Sequence, residues 1–296
     1  MGSKAIQIDD KVVGNGYPCY IVAEIGINHN GSIENALNLI NLAKEAGCDA
    51  VKFQKRTIDV VYTPEELARP RENPFGSTNG DLKKGLEFGF EEYSTIDKYC
   101  KQKKISWFAS CWDEASVDFI EKFDPPCYKI ASASLTDNNL LLHHKKYDKP
   151  TILSTGMSTL EQIKHSVKVL GEEDLIILHS TSTYPAQPDE LNLEVINTLK
   201  NEFLAPVGYS GHEIGMPTSY AAAVLGACMV ERHITLDRAL WGSDQAASLG
   251  PAGLMSLVEY IRTFEIAKGD GVKKIYPSEI PIIKKPPKKY GEISEV

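Results

Sequence analysis

Glu24 sits within "YIVAEIGINHNGS" (Tyr20–Ser32), a segment whose other residues spell a buried β-strand. An unpaired buried carboxylate costs several kcal/mol, so Glu24 either faces a ligand at the open end of the strand or is a paired structural anion. Lys52 in "VKFQK" raises the same question. A lysine in a core strand is seldom fully buried without a partner, which favours a ligand contact over a structural ion pair. Polar residues gather late in the other apolar runs too: Asn28; Gln54; Ser110 and Cys111; Lys129 and Ser132; Ser154 and Thr155; Ser180 and Ser182; Ser210 and His212; Glu231 and His233. If these ends converge, two lysines and a ring of hydroxyls make a cradle for a phosphate or carboxylate. A carboxylate beside them can exchange protons with the reacting atoms. His212 and His233 end neighbouring runs, where their imidazoles could share Mn, Zn or Fe with carboxylate and water, or could simply be hydrogen-bonded. Each serine alone is only a turn former, and its value lies in convergence.

The elements that must position these groups are eight β-branched or aromatic runs: "YIVAEIGI", "DAVKFQK", "SWFASCW", "CYKIASA", "TILSTGM", "LIILHST", "VGYSGHE" and "MVERHIT". Most are followed by an amphipathic helical stretch, and this alternation predicts an α/β chain folded as a (β/α)8 TIM barrel. Ser32 caps a stretch with Ile33, Leu37, Ile40 and Ala43 on one face, closed by Gly47, and "STLE" (Ser158–Glu161) reads as a capping box. A doubly wound open sheet is the alternative, but "GINHNG" is not a nucleotide-binding glycine turn. The expected domains are an N-terminal β-hairpin over residues 1–18 that plugs the barrel bottom, a barrel over 19–278, and an extended tail over 279–296. The Pro-, Gly- and charge-rich insertion between Tyr62 and Tyr93 is a candidate lid.

The 296 residues carry 32 Lys and Arg against 40 Asp and Glu, a net charge of −8 without a basic stripe, which argues against nucleic acid. No signal-peptide core and no membrane-length apolar run is evident, so a cytoplasmic protein is expected. Six cysteines without a CxxC pair fit a reducing compartment, as small hydrophobes. His143 and His144 in "LLHHKKYDKP" read as solvated, and His179 as a satisfied core histidine. Asn28, His29 and Asn30 read as turn residues and "KKPPKK" as a solvated tail, whereas Trp107, Trp112 and Trp241 could line a pocket, packing being an equal reading for Trp107.

Nine segments in order, "AEIGINHNG", "AVKFQK", "ASCWDE", "YKIAS", "ILSTGMS", "TSTYPAQPDELNL", "GYSGHEIG", "ERHITLD" and "WGSDQAASL", resemble the sialic acid synthase family over about Tyr20 to Ser278. That family comprises phosphoenolpyruvate-dependent N-acetylneuraminate and N-acylneuraminate-9-phosphate synthases. The resemblance implies catalytic roles for Glu24, Lys52, His212 and His233, with a divalent metal on His212 and His233, usually Mn2+, with Mg2+ or Co2+ as substitutes. It implies that Lys52, Lys129, Ser132, Ser154, Ser182 and Ser210 surround phosphoenolpyruvate and that Gln54, Tyr184 and Asp244 face the sugar. Cys111 stands where bacterial members often carry a phosphate-contacting Thr, and Ser134 where an acidic residue commonly touches the acceptor.

The implied reaction joins phosphoenolpyruvate to an N-acyl-mannosamine, its 6-phosphate or a related amino sugar, giving a nonulosonic acid and phosphate in a homodimer. Family members typically continue into an antifreeze-like module that places an Arg in the partner's site, whereas this chain stops soon after the barrel. A separate module protein, or Arg69 and Arg71 in the lid, would then take over acyl recognition. The alternatives are a metal-dependent pyruvate aldolase and a non-catalytic sugar-binding barrel subunit.

Overall fold

The computed structural model describes residues 4–283. A β-hairpin comes first, β1 (Ala5–Ile8) against β2 (Lys11–Gly14), antiparallel. Eight parallel strands then close into a barrel: β3 (Tyr20–Gly26), β4 (Ala50–Lys55), β7 (Ser106–Cys111), β8 (Tyr128–Ile130), β9 (Thr151–Ser154), β10 (Leu175–Ser180), β11 (Val207–Gly211) and β12 (Met229–His233). The remaining pair, β5 (Pro70–Asn73) and β6 (Gly76–Thr78), is a small hairpin in the insertion. The eight runs read from the sequence are thus the eight barrel strands, and β12 pairs with β3 to close the ring, setting His233 opposite Glu24. Next along the ring, Glu24 pairs with Lys52.

Strand alternation sorts the side chains into two layers. Ile21, Ala23, Ile25, Val51, Phe53, Trp107, Ala109, Ile130, Ile177 and Val230 pack outward with the helices. Tyr20, Val22, Ala50, Phe108, Ile152, Ile176, Leu178 and Met229 form a second cluster joined by Ile6, Ile8 and Val13 of the hairpin. The hairpin therefore supplies apolar side chains to the barrel interior, as its sequence suggests. Above that plug, the same inward positions turn polar: Glu24 follows Val22, Lys52 follows Ala50, Ser110 follows Phe108, Ser154 follows Ile152 and Glu231 follows Met229.

The helix Ile33–Ala46 starts at Ser32, whose hydroxyl accepts from Asn35 N, and ends at Gly47 with φ 84°. The capping box read at Ser158–Glu161 lies one residue later, with Thr159 at the cap and Gln162 at the third helical position. The insertion is ordered: helices Pro64–Ala68 and Asn79–Leu86 flank the β5–β6 hairpin, each helix opened by a threonine capping box. His143 and His144 are buried rather than solvated. They sit on the inward side of helix Asn138–Lys145, with His144 Nδ1 on Leu140 O and His143 Nε2 on Asp118 Oδ1. Ile280–Ile283 forms one helical turn where an extended tail is expected; residues 284–296 of that tail lie outside the described residues. All six cysteines are free and buried, and no helix among the described residues is long and apolar enough to cross a membrane.

Ile8 is fully buried in the hairpin plug. Ile8→Ala should therefore lower stability by about 2–5 kcal/mol, read as a lower urea midpoint, while the mouth at the other end of the barrel keeps its ligand affinity. A midpoint within error of the wild type would mean that the hairpin is not part of the core.

Candidate active site

Four charged side chains meet in the barrel throat, all almost fully buried. Lys52 Nζ lies 3.2 Å from Glu24 Oε2, 3.1 Å from Glu231 Oε1 and 3.0 Å from Ser110 Oγ. Lys129 Nζ donates to Ser154 Oγ at 2.6 Å and lies 3.9 Å from the same Glu231 oxygen, to which Ser210 Oγ donates at 2.9 Å. Burial would strip Lys52 of its proton, but Glu231 and Glu24 outweigh it and hold the ammonium charged above its usual range. Burial likewise works against ionised Glu231, yet Lys129 and Lys52 keep its carboxyl well below the ordinary range. Lys129, further from a carboxylate, is lowered by burial to about 8 against the pull of Glu231.

Glu24 goes the other way. Its burial outweighs Lys52 and His233 and raises its proton affinity, so it differs from Glu231 in the direction of its shift although both share Lys52. Two carboxylates with proton affinities pushed apart are a usual basis for an acid–base assignment. Gln54 Nε2 donates to Glu24 Oε1 at 2.9 Å. Gly26, at φ 53°, lets the chain pass: a Cβ there would lie 3.0 Å from Glu24 Oε1, 3.1 Å from Gln54 Nε2 and 3.1 Å from His233 Cε1.

These groups line a cavity of about 140 Å³ with Ser132, Ser154, Ser182, Ser210, Tyr184, Trp112, His212 and His233. One wall is a hydroxyl cradle. Gly156 N donates to Ser132 Oγ at 3.0 Å, and Ser182 Oγ is buried without a partner. A Cβ on Gly156 would come within 2.1 Å of Ser182 Oγ and 2.9 Å of Ser132 Oγ, so only glycine leaves the three groups this close. Asp244 stands at the edge, its Oδ2 4.0 Å from His233 Nδ1.

Cys111 does not join them. It follows Ser110, so it points to the outer layer, where its thiol donates to Ser116 O at 3.5 Å and burial raises its pKa far above the usual value. Ser110 is the residue of β7 that reaches the cavity. Ser134 is buried in the 3-10 turn Ser132–Ser134 and, unlike Ser132 and Ala133 of the same turn, does not line the cavity. Trp107 packs in the outer core, Trp112 lines the throat, and Trp241 lines a separate rim cavity of about 540 Å³ with Arg71, Lys83 and Asn30. Asn28 is a structural clamp, donating to Ile234 O and Ser248 Oγ at 2.8 Å each. His179, as expected, is satisfied in the core, on Leu191 O at 2.7 Å.

The imidazoles suit the metal that the resemblance implies. His212 Nδ1 donates to Thr181 O at 2.6 Å, which leaves Nε2 with the lone pair, now accepting from Tyr184 OH at 2.7 Å. Burial first, then His233, lowers its pKa to about 4, so the ring is neutral near pH 7 as a ligand must be. His233 Nδ1 is buried without a hydrogen-bond partner, and the two ring centres are 5.9 Å apart. No group of three or more His, Cys, Asp or Glu able to hold a metal occurs among the described residues, so the protein would give two nitrogens and leave the remaining positions to substrate and water.

Glu231, one of the strand-end polar residues, lines the site although the family resemblance gives it no role. Its signal was present: it stands two places before His233 and so shares its inward face. Arg232 between them points outward, fully buried, with Nη1 3.0 Å from Glu213 Oε1.

A model of the NeuB family matches residues 39–273. The chain is 39% identical over 274 residues to N-acetylneuraminate-9-phosphate synthase of Homo sapiens, spanning 90% of this chain and 76% of that protein. It is 35% identical over 292 residues to N,N'-diacetyllegionaminic acid synthase of Legionella pneumophila, spanning 95% and 82%. The solved sialic acid synthetase of Leptospira borgpetersenii, in complex with citrate, superposes with a TM-score of 0.83 at 29% identity over 96% of each chain.

Gly156→Ala is expected to push Ser132 and Ser182 apart and close the hydroxyl cradle. Affinity for an anionic ligand, measured by calorimetry with phosphoenolpyruvate, should fall about tenfold or more, the worth of one charge-assisted hydrogen bond. Unchanged affinity would show that the cradle is not an anion site.

Proposed function

The chain belongs to the NeuB family, and from that premise we infer how its barrel mouth works. It is a phosphoenolpyruvate-dependent synthase that forms a carbon–carbon bond to an amino sugar and yields a nonulosonic acid and phosphate. The observation that carries the residue-level reading is the convergence of Glu24, Lys52, Lys129, His212 and His233 on one cavity at the end of the strands where β/α barrels place chemistry.

In this reading C3 of phosphoenolpyruvate bonds to the aldehyde carbon of the open-chain acceptor, an N-acyl-mannosamine, its 6-phosphate or a related amino sugar. The aldehyde oxygen takes up a proton. C2 gains an oxygen from water, which gives up a proton, and the tetrahedral C2 then expels phosphate to leave the 2-keto acid. Lys52 and Lys129 face the charge that grows on this intermediate, and their ammonium groups are already in place, so little reorganisation is needed. Ser132, Ser154, Ser182 and Ser210 hold the phosphoenolpyruvate oxygens. Ser110 does on β7 what the sequence assigned to Cys111. Glu24, with its raised proton affinity, exchanges the proton at the reacting centre. Gln54, Tyr184 and Asp244 orient the sugar.

A divalent cation held by His212 and His233, Mn2+ by preference and Mg2+ or Co2+ otherwise, would polarise the acceptor aldehyde as a Lewis acid. A homodimer belongs to the same reading through the family resemblance, as does a cytoplasmic location.

The deciding experiment mixes the protein with phosphoenolpyruvate, Mn2+ and N-acetylmannosamine or its 6-phosphate and follows phosphate and 2-keto acid. Product from phosphoenolpyruvate, none from pyruvate, and loss on chelation are expected. Turnover of pyruvate would make the protein an aldolase, and full activity in chelator would remove the metal. Lys129 adds a pH signature. Its ammonium is complete below a pKa of about 8 and is lost above it, so the KM for phosphoenolpyruvate should climb as pH rises past that value. A KM that stays flat from about pH 7 to about pH 10 would show that Lys129 does not hold the anion as a cation.

A further inference from the structure

Gln54 has a carboxamide with one accepting end and one donating end, and which end faces Glu24 decides what the carboxylate experiences. Arg56 lies behind it. Its Nη2 donates to Gln54 Oε1, while Gln54 Nε2 donates to Glu24 Oε1 at 2.9 Å. A guanidinium has donors only, so it can accept nothing from Gln54 and must meet the carbonyl oxygen. The NH2 group is thereby turned to Glu24.

Arg56 is itself held from several sides. It is 8% exposed, its Cζ lies 4.5 Å from the centre of the Trp112 ring, and its backbone N donates to Glu87 Oε1 at 3.0 Å. Trp112 N in turn donates to Lys55 O at 3.1 Å, and Lys55 Nζ reaches the same Glu87 oxygen at 2.9 Å. Gln54 and Trp112 line the catalytic cavity, and Arg56 supports both from outside the lining.

We propose that Arg56 is a positioning residue for the synthase reaction, acting through Gln54 to keep an N–H donor on Glu24 and a second N–H turned toward the acceptor. This rests on the synthase reading of the site. Without the guanidinium the carboxamide can rotate, and its carbonyl would then oppose the Glu24 carboxylate, oxygen against oxygen. An acceptor in the cavity that Gln54 lines would then also meet a lone pair in place of a donor.

Three substitutions order themselves by hydrogen-bond sense. Arg56→Lys keeps a donor-only group and should retain kcat within about threefold, Arg56→Met should lower kcat about tenfold, and Arg56→Glu, which demands the NH2 for itself, should lower it most. The KM for phosphoenolpyruvate should stay within about twofold throughout, since Arg56 reaches Gln54 and Trp112 rather than the hydroxyl cradle around Gly156. In a Gln54→Met background the Arg56 changes should cost nothing further. Equal losses in both backgrounds, or a Lys variant no better than Met, would overturn the proposal. Nuclear magnetic resonance of the Gln54 carboxamide protons gives a readout independent of turnover: they should shift on Glu24→Gln when Arg56 is present and far less in Arg56→Met. The same shift in both would also overturn it. A wild type without synthase activity that still shows this pattern would remove the synthase reading and leave the positioning intact.

Discussion

Lys52 sits between two carboxylates in the throat of a barrel, and much of the site follows from how that arrangement is made tolerable. One buried ammonium beside two acids can neutralise only one of them. Glu231 takes the charge because Lys129 and Ser210 reach the same oxygen. Glu24, farther from Lys129 and with a single amide donor, is left with a raised proton affinity. The asymmetry therefore comes from neighbours supplied by four different strands, β4, β8, β11 and β12, and holds only while the barrel fixes their register. Closing the ring between β12 and β3 is what sets His233 beside Glu24.

The scaffold keeps that throat rigid in two ways. From below, Ile6, Ile8 and Val13 fill the barrel interior up to the level at which the inward side chains become polar. From outside, Arg232 ties β12 to the loop after β11 and to the helix Pro217–Val224 by donating to Glu213 Oε1, Gly215 O and Ser219 Oγ. Because Arg232 lies between Glu231 and His233, each side of β12 carries one polar network, and the two share a backbone but no side chain. Displacing this strand would disturb both at once.

Much of this was legible in the sequence, for a physical reason. Parallel strands buried on both faces read as apolar runs, and a polar residue at the end of such a run is conspicuous. Lys52, Lys129, Ser154 and Ser210 stood out in that way and do line the cavity. Side-chain parity was harder to read. "ASC" offers Ser110 and Cys111 on opposite faces, and only the inward packing of Phe108 decides that serine reaches the cavity. Glu231 and Arg232 form an adjacent pair of opposite charge that looks like a local ion pair, yet strand alternation sends them to different partners. The insertion could not be resolved because its helices and strands are too short for periodicity to register. Arg56 was hidden since it lies just past the end of β4, and Trp112 meets it only when β4 and β7 are paired.

Whether Glu24 transfers a proton rather than serving as a structural charge is tested most directly by one pair of measurements. Phosphate release with the amino-sugar acceptor and phosphoenolpyruvate binding by calorimetry would be measured on the same preparations of wild type and Glu24→Gln, a change that keeps the shape and removes the titrating group. With Glu24 as the proton-transfer group, phosphoenolpyruvate affinity should stay within about twofold and turnover should fall by about 100-fold or more, the usual contribution of a positioned acid or base. A Glu24→Gln protein that turns over as fast as the wild type across pH would contradict it.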